Sequence, residues 1–259
     1  CVPTDLFQRT HHSQRCLLDQ FSIQFEFEDA AYSHTKPQYA LQESRHYDPA
    51  FFTDLPSNIN LFGYFENEKY FDKYADVIKR DFQHNDELKE TARKFLEYVK
   101  SKYEPNTKIV GLHLRRGDAL YSDTETYLND VSNGSWLYNY ISRSIDIVKE
   151  GHENVVFLVF TGGSRENSCD NRTDMNWCKT ILPTAFPEVN FEFCHGFSCI
   201  GDHVIMTHCD HLIITFISTF AWWAGYLNPN DDAKIIVPKN IPFFPENLEN
   251  YWASRFVQI

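Results

Sequence analysis

Between Lys108 and Asn240, five short apolar runs alternate with segments of helical period, and this limits the fold more than any other feature of the chain. The runs are Ile109 to Leu114, Val155 to Phe160, Val189 to Phe193, His211 to Phe216 and Lys234 to Pro238. They have the length and β-branched or aromatic content of buried strands. A helix from about Ser135 carries Leu137, Ile141, Ile145 and Val148 on one face and stops at Gly151. Shorter helices are predicted over Asp174 to Leu182 and Asp202 to Cys209, and Ser218-Thr219 cap another that runs through Trp222, Trp223 and Leu227. A terminal helix is expected after Pro245. Strand and helix in strict alternation imply an α/β fold with a parallel, doubly wound sheet, whose ligands sit beyond the carboxyl ends of the strands.

Three unusual sequences fall at that edge. The first run reads K-I-V-G-L-H-L-R-R-G-D from Lys108 to Asp118, so a buried strand ends in Arg115 and Arg116. Paired guanidinium groups offer forked donors suited to phosphate oxygens. Thr161-Gly162-Gly163 follows the second run, and Ser218-Thr219-Phe220 opens a helix, where free N–H groups and the dipole favour an anion. A diphosphate held between the arginines and this helix is physically coherent. The chain has no Walker A loop and no G-x-G-x-x-G, which removes the main support for an ATPase or a dinucleotide dehydrogenase. Asp-x-Asp is absent as well, so arginine rather than a divalent cation would neutralise the diphosphate, and no metal site is expected. Cys194, Cys199, His203, His208, Cys209 and His211 match no common zinc spacing. Disulfides Cys194–Cys199 or Cys169–Cys178 are the alternative reading of these cysteines.

Ahead of the alternating region, residues 1–57 contain no glycine, and Phe21 to Glu28 alternates like one half-buried strand. Tyr74, Val77, Ile78 and Phe82 recur at helical spacing as core packing. A helix capped by Asn85 or Asp86 places Leu88, Ala92, Phe95, Leu96 and Val99 on one face before Pro105 breaks it. A net charge of −12 argues against nucleic acid or an anionic membrane as partner. No stretch is apolar enough to span a bilayer. The start at Cys1 suggests a processed piece, with any targeting segment upstream. Seven cysteines and two glycosylation triplets, Asn133-Gly134-Ser135 and Asn171-Arg172-Thr173, tilt the compartment towards the secretory lumen.

Four blocks in order resemble the α1,2-fucosyltransferases, glycosyltransferase family 11. His113-Leu114-Arg115-Arg116-Gly117-Asp118 resembles the family's His-x-Arg-Arg-Gly-Asp, and Asn60 to Phe71 is similar to its Gly-Tyr-Phe-Gln-Ser-x-Lys-Tyr-Phe segment. Asp174 to Lys179 resembles the end of its Trp-Cys-Lys segment, and Met206 to Trp223 its Met-Ser-x-Cys…Ser-Thr-Phe-Ser-Trp-Trp block. The resemblance implies a GT-B-type fold, with residues 1–105 left from an acceptor-side half and 106–259 forming a Rossmann-like domain for GDP-fucose. It implies metal-independent transfer of L-fucose, with inversion, from GDP-fucose to a galactose-terminated glycan in α1,2 linkage. No cofactor is implied beyond the donor substrate. The full-length parent would be a type II Golgi membrane protein with its anchor outside this chain.

By position, Arg115 and Arg116 would hold the β-phosphate and, with Asp118, form the catalytic set. His113 would support the arginines or contact the nucleotide, Ser218 and Thr219 would donate to the diphosphate, and Asp174 would accept from guanine N–H groups. Thr161-Gly162-Gly163 stands where the family has an acidic pair, Ile217 where it has Asn, and Ala221 where it has Ser. Those departures motivate a second reading, a catalytically silent relative that binds glycan or nucleotide.

Overall fold

The computed structural model describes residues 10–11, 14–15, 21, 38–42, 47–51, 53, 59–62, 65, 67–121, 125–162, 172–242, 248 and 251–259, with residues 10–11, 14–15, 38–42, 59–62, 118, 121, 125–126 and 172 described by backbone only. Two compact units are present: Cys1–Gln83 with Asn247–Ser254, and His84–Glu246 with Arg255–Ile259.

In the first unit, β1 (Thr10–His11) pairs antiparallel with β2 (Gln14–Arg15), and β3 (Gln38–Gln42) pairs parallel with β4 (Ile59–Phe62). Phe51, Phe65 and Tyr70 meet edge to face, with ring centroids 5.4 to 5.9 Å apart. This mutual packing holds Phe65 at φ 49, a left-handed backbone that a bulky residue adopts only under constraint. Tyr74 and Val77, expected in the core, are exposed beside and within the short helix α1 (Ala75–Asp81). The strand expected over Phe21 to Glu28 lies outside the described residues except for Phe21, whose ring meets Phe82 at 5.6 Å.

The second unit opens with α2 (Asp86–Lys100), capped as expected by Asn85, whose Oδ1 accepts from the Leu88 N–H at 2.9 Å. The buried strand β5 (Lys108–Arg115) follows. A 3₁₀ turn over Gly117–Tyr121 and a short helix α3 (Glu125–Asn129) lead to α4 (Trp136–Lys149), capped by Ser135. Then come β6 (Val155–Gly162), α5 (Arg172–Ala185), β7 (Phe191–Phe193), α6 (Cys199–Thr207), β8 (His211–Ile214), α7 (Thr219–Tyr226) and β9 (Ile235–Val237).

The terminal helix expected after Pro245 does not form among the described residues: residues 246–247 and 249–250 lie outside the description, and the described residues 251–256 make turns. The chain then forms a two-residue strand, β10 (Val257–Gln258), parallel to β9. Sequence pattern missed it because so short an edge strand has no apolar run of its own. It is fixed by backbone bonds from Lys239 N to Ile259 O at 2.8 Å and from Ile259 N to Val237 O at 3.0 Å.

All neighbours in the six-stranded sheet are parallel, in the order β10-β9-β8-β5-β6-β7. The chain starts in the middle at β5, winds outward through β6 and β7, then crosses back to lay β8 on the other side of β5. The strand order therefore reverses between β5 and β8, and a crevice opens beyond the carboxyl ends of strands at such a point.

Strand alternation assigns the two faces. Val110, Leu112 and Leu114, with Phe157, Val159 and Ile213, bury one face against Leu137, Ile141 and Ile145 of α4 and Cys178 and Leu182 of α5. The odd-numbered residues of β5 take the other face. A Cβ on Gly111 there would stand 2.8 Å from Leu212 Cδ1 and 3.3 Å from Cys209 Sγ, just beyond the end of α6. The same face brings the His113 ring to 6.2 Å from Phe220 in α7.

Candidate active site

Arg115, the last residue of β5, and Arg116, just beyond it, serve opposite faces of the sheet. Arg116 continues the even-numbered series towards α5. It is 5% exposed, its Nε donates to Asp174 Oδ1 at 3.2 Å, and its Nη1 donates to the Leu128 carbonyl at 3.1 Å. Its guanidinium carbon sits 3.7 Å from the centre of the Trp177 ring, a cation–π stack on the same helix. Asp174, expected to receive guanine, is thus 2% exposed and turned to Arg116. Together they bolt the end of β5 to α3 and α5.

Arg115 continues the odd series beside His113 and pairs in register with Gly162. It is half-buried at the carboxyl end of β5, next to the switch point. Across that point Thr215 extends β8. Its N–H and its hydroxyl both donate to the His113 carbonyl, at 3.2 and 3.0 Å, so the two strand ends are locked together. The chain then turns into α7, where Ser218 Oγ caps the helix by accepting from the Ala221 N–H at 3.4 Å. Thr219 at the first helical position is exposed. Apart from the capped Ala221 N–H, the first-turn N–H groups of α7 have no acceptor inside the helix by construction, and donors of that kind suit an anion.

His113 is 4% exposed. Burial, reinforced by the charge of Arg115, lowers its pKa to about 3, so the ring is neutral at physiological pH. Its Nδ1 has no hydrogen-bond partner among the described residues. Thr161, the last-but-one residue of β6, donates its hydroxyl to the Leu114 carbonyl at 3.0 Å, while Gly163 lies outside the described residues. Asp118 lies in the Gly117–Tyr121 turn, and its side chain is likewise outside them.

Of the expected set, then, β5 and α7 bring His113, Arg115, Ser218 and Thr219 to one side of the switch point. Arg116 and Asp174 form a buried pair on the opposite face.

Two groups escaped the sequence reading. Asp202, in the first turn of α6, accepts from the Cys194 thiol at 3.3 Å, and burial raises its pKa to about 6. A carboxyl in the first turn of a helix that follows a strand end is the signal that could have found it. Just ahead of α2, His84 Nε2 stands 2.8 Å from Nδ1 of His203 in α6. The His203 ring also donates to the Phe220 backbone carbonyl and meets the Phe220 ring edge to face at 5.0 Å. Burial lowers these two histidines to about 3 and about 4, so both are neutral at physiological pH, and His84 and His203 together tie the first turn of α7 to the helices beneath it.

Cys178, Cys194 and Cys199 form no disulfide, which corrects the expected Cys194–Cys199 and Cys169–Cys178 bridges. Cys194 spends its S–H on Asp202 instead, and Cys178 is buried under β6, its pKa pushed up to about 12. No group of three or more metal-ligating side chains forms among the described residues. Trp222 is buried and stacks on Tyr226 at 5.1 Å, as packing rather than a sugar platform. No helix among the described residues is long and apolar enough to cross a membrane.

A parallel sheet whose switch point carries Arg115 beside the start of α7 defines an α/β protein with its candidate ligand edge there. Residues 11–253 match the family model described as glycosyl transferase family 11, and the chain belongs to that family. It is 30% identical over 166 residues to galactoside alpha-(1,2)-fucosyltransferase 1 of Aotus azarae, a match covering 62% of this chain and 41% of that protein. The Homo sapiens protein of the same name matches at 30% over 167 residues with the same coverage. Galactoside alpha-(1,2)-fucosyltransferase 2 of Pongo pygmaeus matches at 26% over 175 residues, covering 67% of this chain and 46% of that protein. The chain thus spans less than half the length of these curated relatives. Among solved structures it is similar to POFUT1 in complex with GDP, with a TM-score of 0.40 and 16% identity, over 60% of this chain and 46% of that one.

Proposed function

We propose that this chain carries the donor-binding part of a fucosyltransferase that transfers L-fucose from GDP-fucose to a galactose-terminated glycan in α1,2 linkage, with inversion and without a metal. The observation that carries the reading is Arg115 at the end of β5, beside the β5–β8 switch point, with the N-terminus of α7 following β8, in a chain of glycosyl transferase family 11. As the bond to fucose breaks, negative charge develops on GDP. A fixed guanidinium and a helix N-terminus stabilise that charge more in the transition state than in the ground state, which is what lowers the barrier.

Arg115 is the guanidinium assigned to the diphosphate, with Thr219 and the first-turn N–H groups of α7 as its partners. Arg116 and Asp174 hold Arg115 in place from the opposite face. The full-length parent would act in the Golgi lumen as a type II membrane protein. The silent-relative reading keeps the same binding edge without turnover. It is favoured by Thr161 and Gly162 standing at the end of β6 where the family has an acidic pair.

A transfer assay on the full-length parent, with GDP-fucose and a β-galactoside, separates the two readings. Fucosylated product whose linkage is α1,2, lost nearly completely in Arg115→Ala, supports the enzyme. GDP binding without any product supports the silent relative.

A further inference from the structure

We infer that Asn133 is an N-glycosylation site, carrying an oligosaccharide on the rim of the sheet's carboxyl edge. The inference rests on the proposed lumenal placement of the chain. Ser132 to Ser135 form a tight turn closed by the bond from Ser135 N to Ser132 O at 2.9 Å. Asn133 and Gly134 are its central residues, and Gly134 takes φ 93, the left-handed value that a type II turn needs at its second central position. Asn133 is exposed at the corner, and a Cβ built on Gly134 meets nothing within 4 Å, so space is open around the triplet.

The turn is anchored from below rather than by Asn133. The Ser132 N–H and hydroxyl donate to Asp130 Oδ1 at 2.9 and 2.5 Å, and the Ser135 hydroxyl donates to the Asp130 carbonyl at 2.8 Å. Attachment of a glycan therefore breaks none of the bonds that hold the turn. Trp136, one residue after the triplet, donates its ring N–H to the carbonyl of Asn240, just beyond β9, which sets the triplet at the same end of the sheet as the switch point.

The reaction takes its sugar from a polyprenyl-diphosphate-linked oligosaccharide. Asn133 Nδ2 loses a proton and forms a bond to the anomeric carbon. The bond from that carbon to the diphosphate oxygen breaks, and the lipid diphosphate leaves with the electron pair.

Ser135 has two separable tasks, because its hydroxyl is the third member of the triplet and also the cap of α4, accepting from the Tyr138 N–H at 3.2 Å. Asn133→Gln removes the acceptor and keeps the cap, Ser135→Thr keeps both, and Ser135→Ala removes both. The experiment expresses the full-length parent in a eukaryotic secretory host, with each variant alongside, and treats it with a peptide amidase that releases N-glycans in heavy-oxygen water.

Heavy-oxygen aspartate at position 133, with one gel-mobility step lost in Asn133→Gln and retained in Ser135→Thr, is the expected result. Unmodified asparagine at 133 in protein recovered from the lumen overturns the inference. So does light aspartate, which marks spontaneous deamidation of the Asn-Gly pair. Protein confined to the cytosol, carrying no glycan, overturns the lumenal placement together with the inference. GDP binding is measured on the same samples, so a glycosylated wild-type protein that does not bind GDP sinks the proposed function while the glycan stands.

Discussion

Replacing Asp174 by leucine tests whether Arg116 is a strut or a ligand. The pair is enclosed, with side-chain exposures of 6% and 2% and a separation of 3.2 Å, and the guanidinium is stacked 3.7 Å from the Trp177 ring centre. Removing the carboxylate strands a charge that solvent does not reach, which costs about 3–5 kcal/mol. In a domain of this size that lowers the melting temperature by roughly 6–20 °C, at about 2–4 °C per kcal/mol. In Arg116→Met with Asp174→Leu, both charges are gone and two apolar side chains lie against Trp177, so most of the loss is recovered. Urea denaturation followed by tryptophan fluorescence, backed by calorimetry, measures each arm of the cycle. Arg115→Ala, removing a half-buried side chain at the crevice, is expected to cost less than about 1 kcal/mol in the same assay. The reasoning is refuted if Asp174→Leu stays within about 1 kcal/mol of wild type, or if the double variant loses the sum of the two single changes.

Acid should destabilise the second unit. His84, His113 and His203 have their pKa values lowered by burial from 6.5 to about 3, about 3 and about 4. Below pH 6.5 the unfolded chain binds protons that the folded rings refuse, so each ring removes about 1.4 kcal/mol per pH unit until its own folded pKa is reached. Asp202, raised to about 6, works the other way by making the folded state the better proton binder between about pH 6 and its ordinary 3.8. His211, lowered by burial to about 4, adds to the three, so four groups against one leave a net loss, and urea midpoints at pH 7 and pH 5 measure it; equal midpoints would contradict it. His203→Gln can still accept from His84 and donate to the Phe220 carbonyl, so it should bind GDP about as wild type does. His203→Met can do neither and should bind at least roughly fivefold more weakly by calorimetry; equal affinities would rule out a positioning role. Gly225→Ala gains helix propensity worth about 1 kcal/mol. Its new methyl, however, stands 2.8 Å from Ile235 Cγ2 and 3.1 Å from Phe256 Cζ, and overpacking of about 1–3 kcal/mol should win, giving a lower melting temperature.

Where local chemistry decides an element, the sequence was sufficient. Asn85 and Ser218 were among the residues legible as caps because a short polar acceptor before an apolar period has one good use, and each accepts from the N–H three residues on. The parallel sheet followed from strands and helices in alternation. The division of labour between Arg115 and Arg116 was not read, because two identical side chains in a row carry no label for the face they serve. Continuing the even series of Val110, Leu112 and Leu114 one step further would have assigned Arg116 to α5. The pairing of Asp174 with Arg116, 58 residues apart, depends on how α5 packs across β6, which no local pattern encodes. β10 was invisible for the opposite reason: the two-residue Val257–Gln258 pairs with β9 through its backbone, which leaves no mark on side-chain pattern.

Isothermal titration of GDP into the folded chain and into Arg115→Ala tests the central claim, that the end of β5 at the β5–β8 switch point grips the donor diphosphate. Loss of a charged hydrogen-bond donor is worth roughly 1.5–3 kcal/mol, so the variant should bind about 10- to 100-fold more weakly with its melting temperature nearly unchanged. Arg115→Ala binding GDP as tightly as wild type would contradict the account.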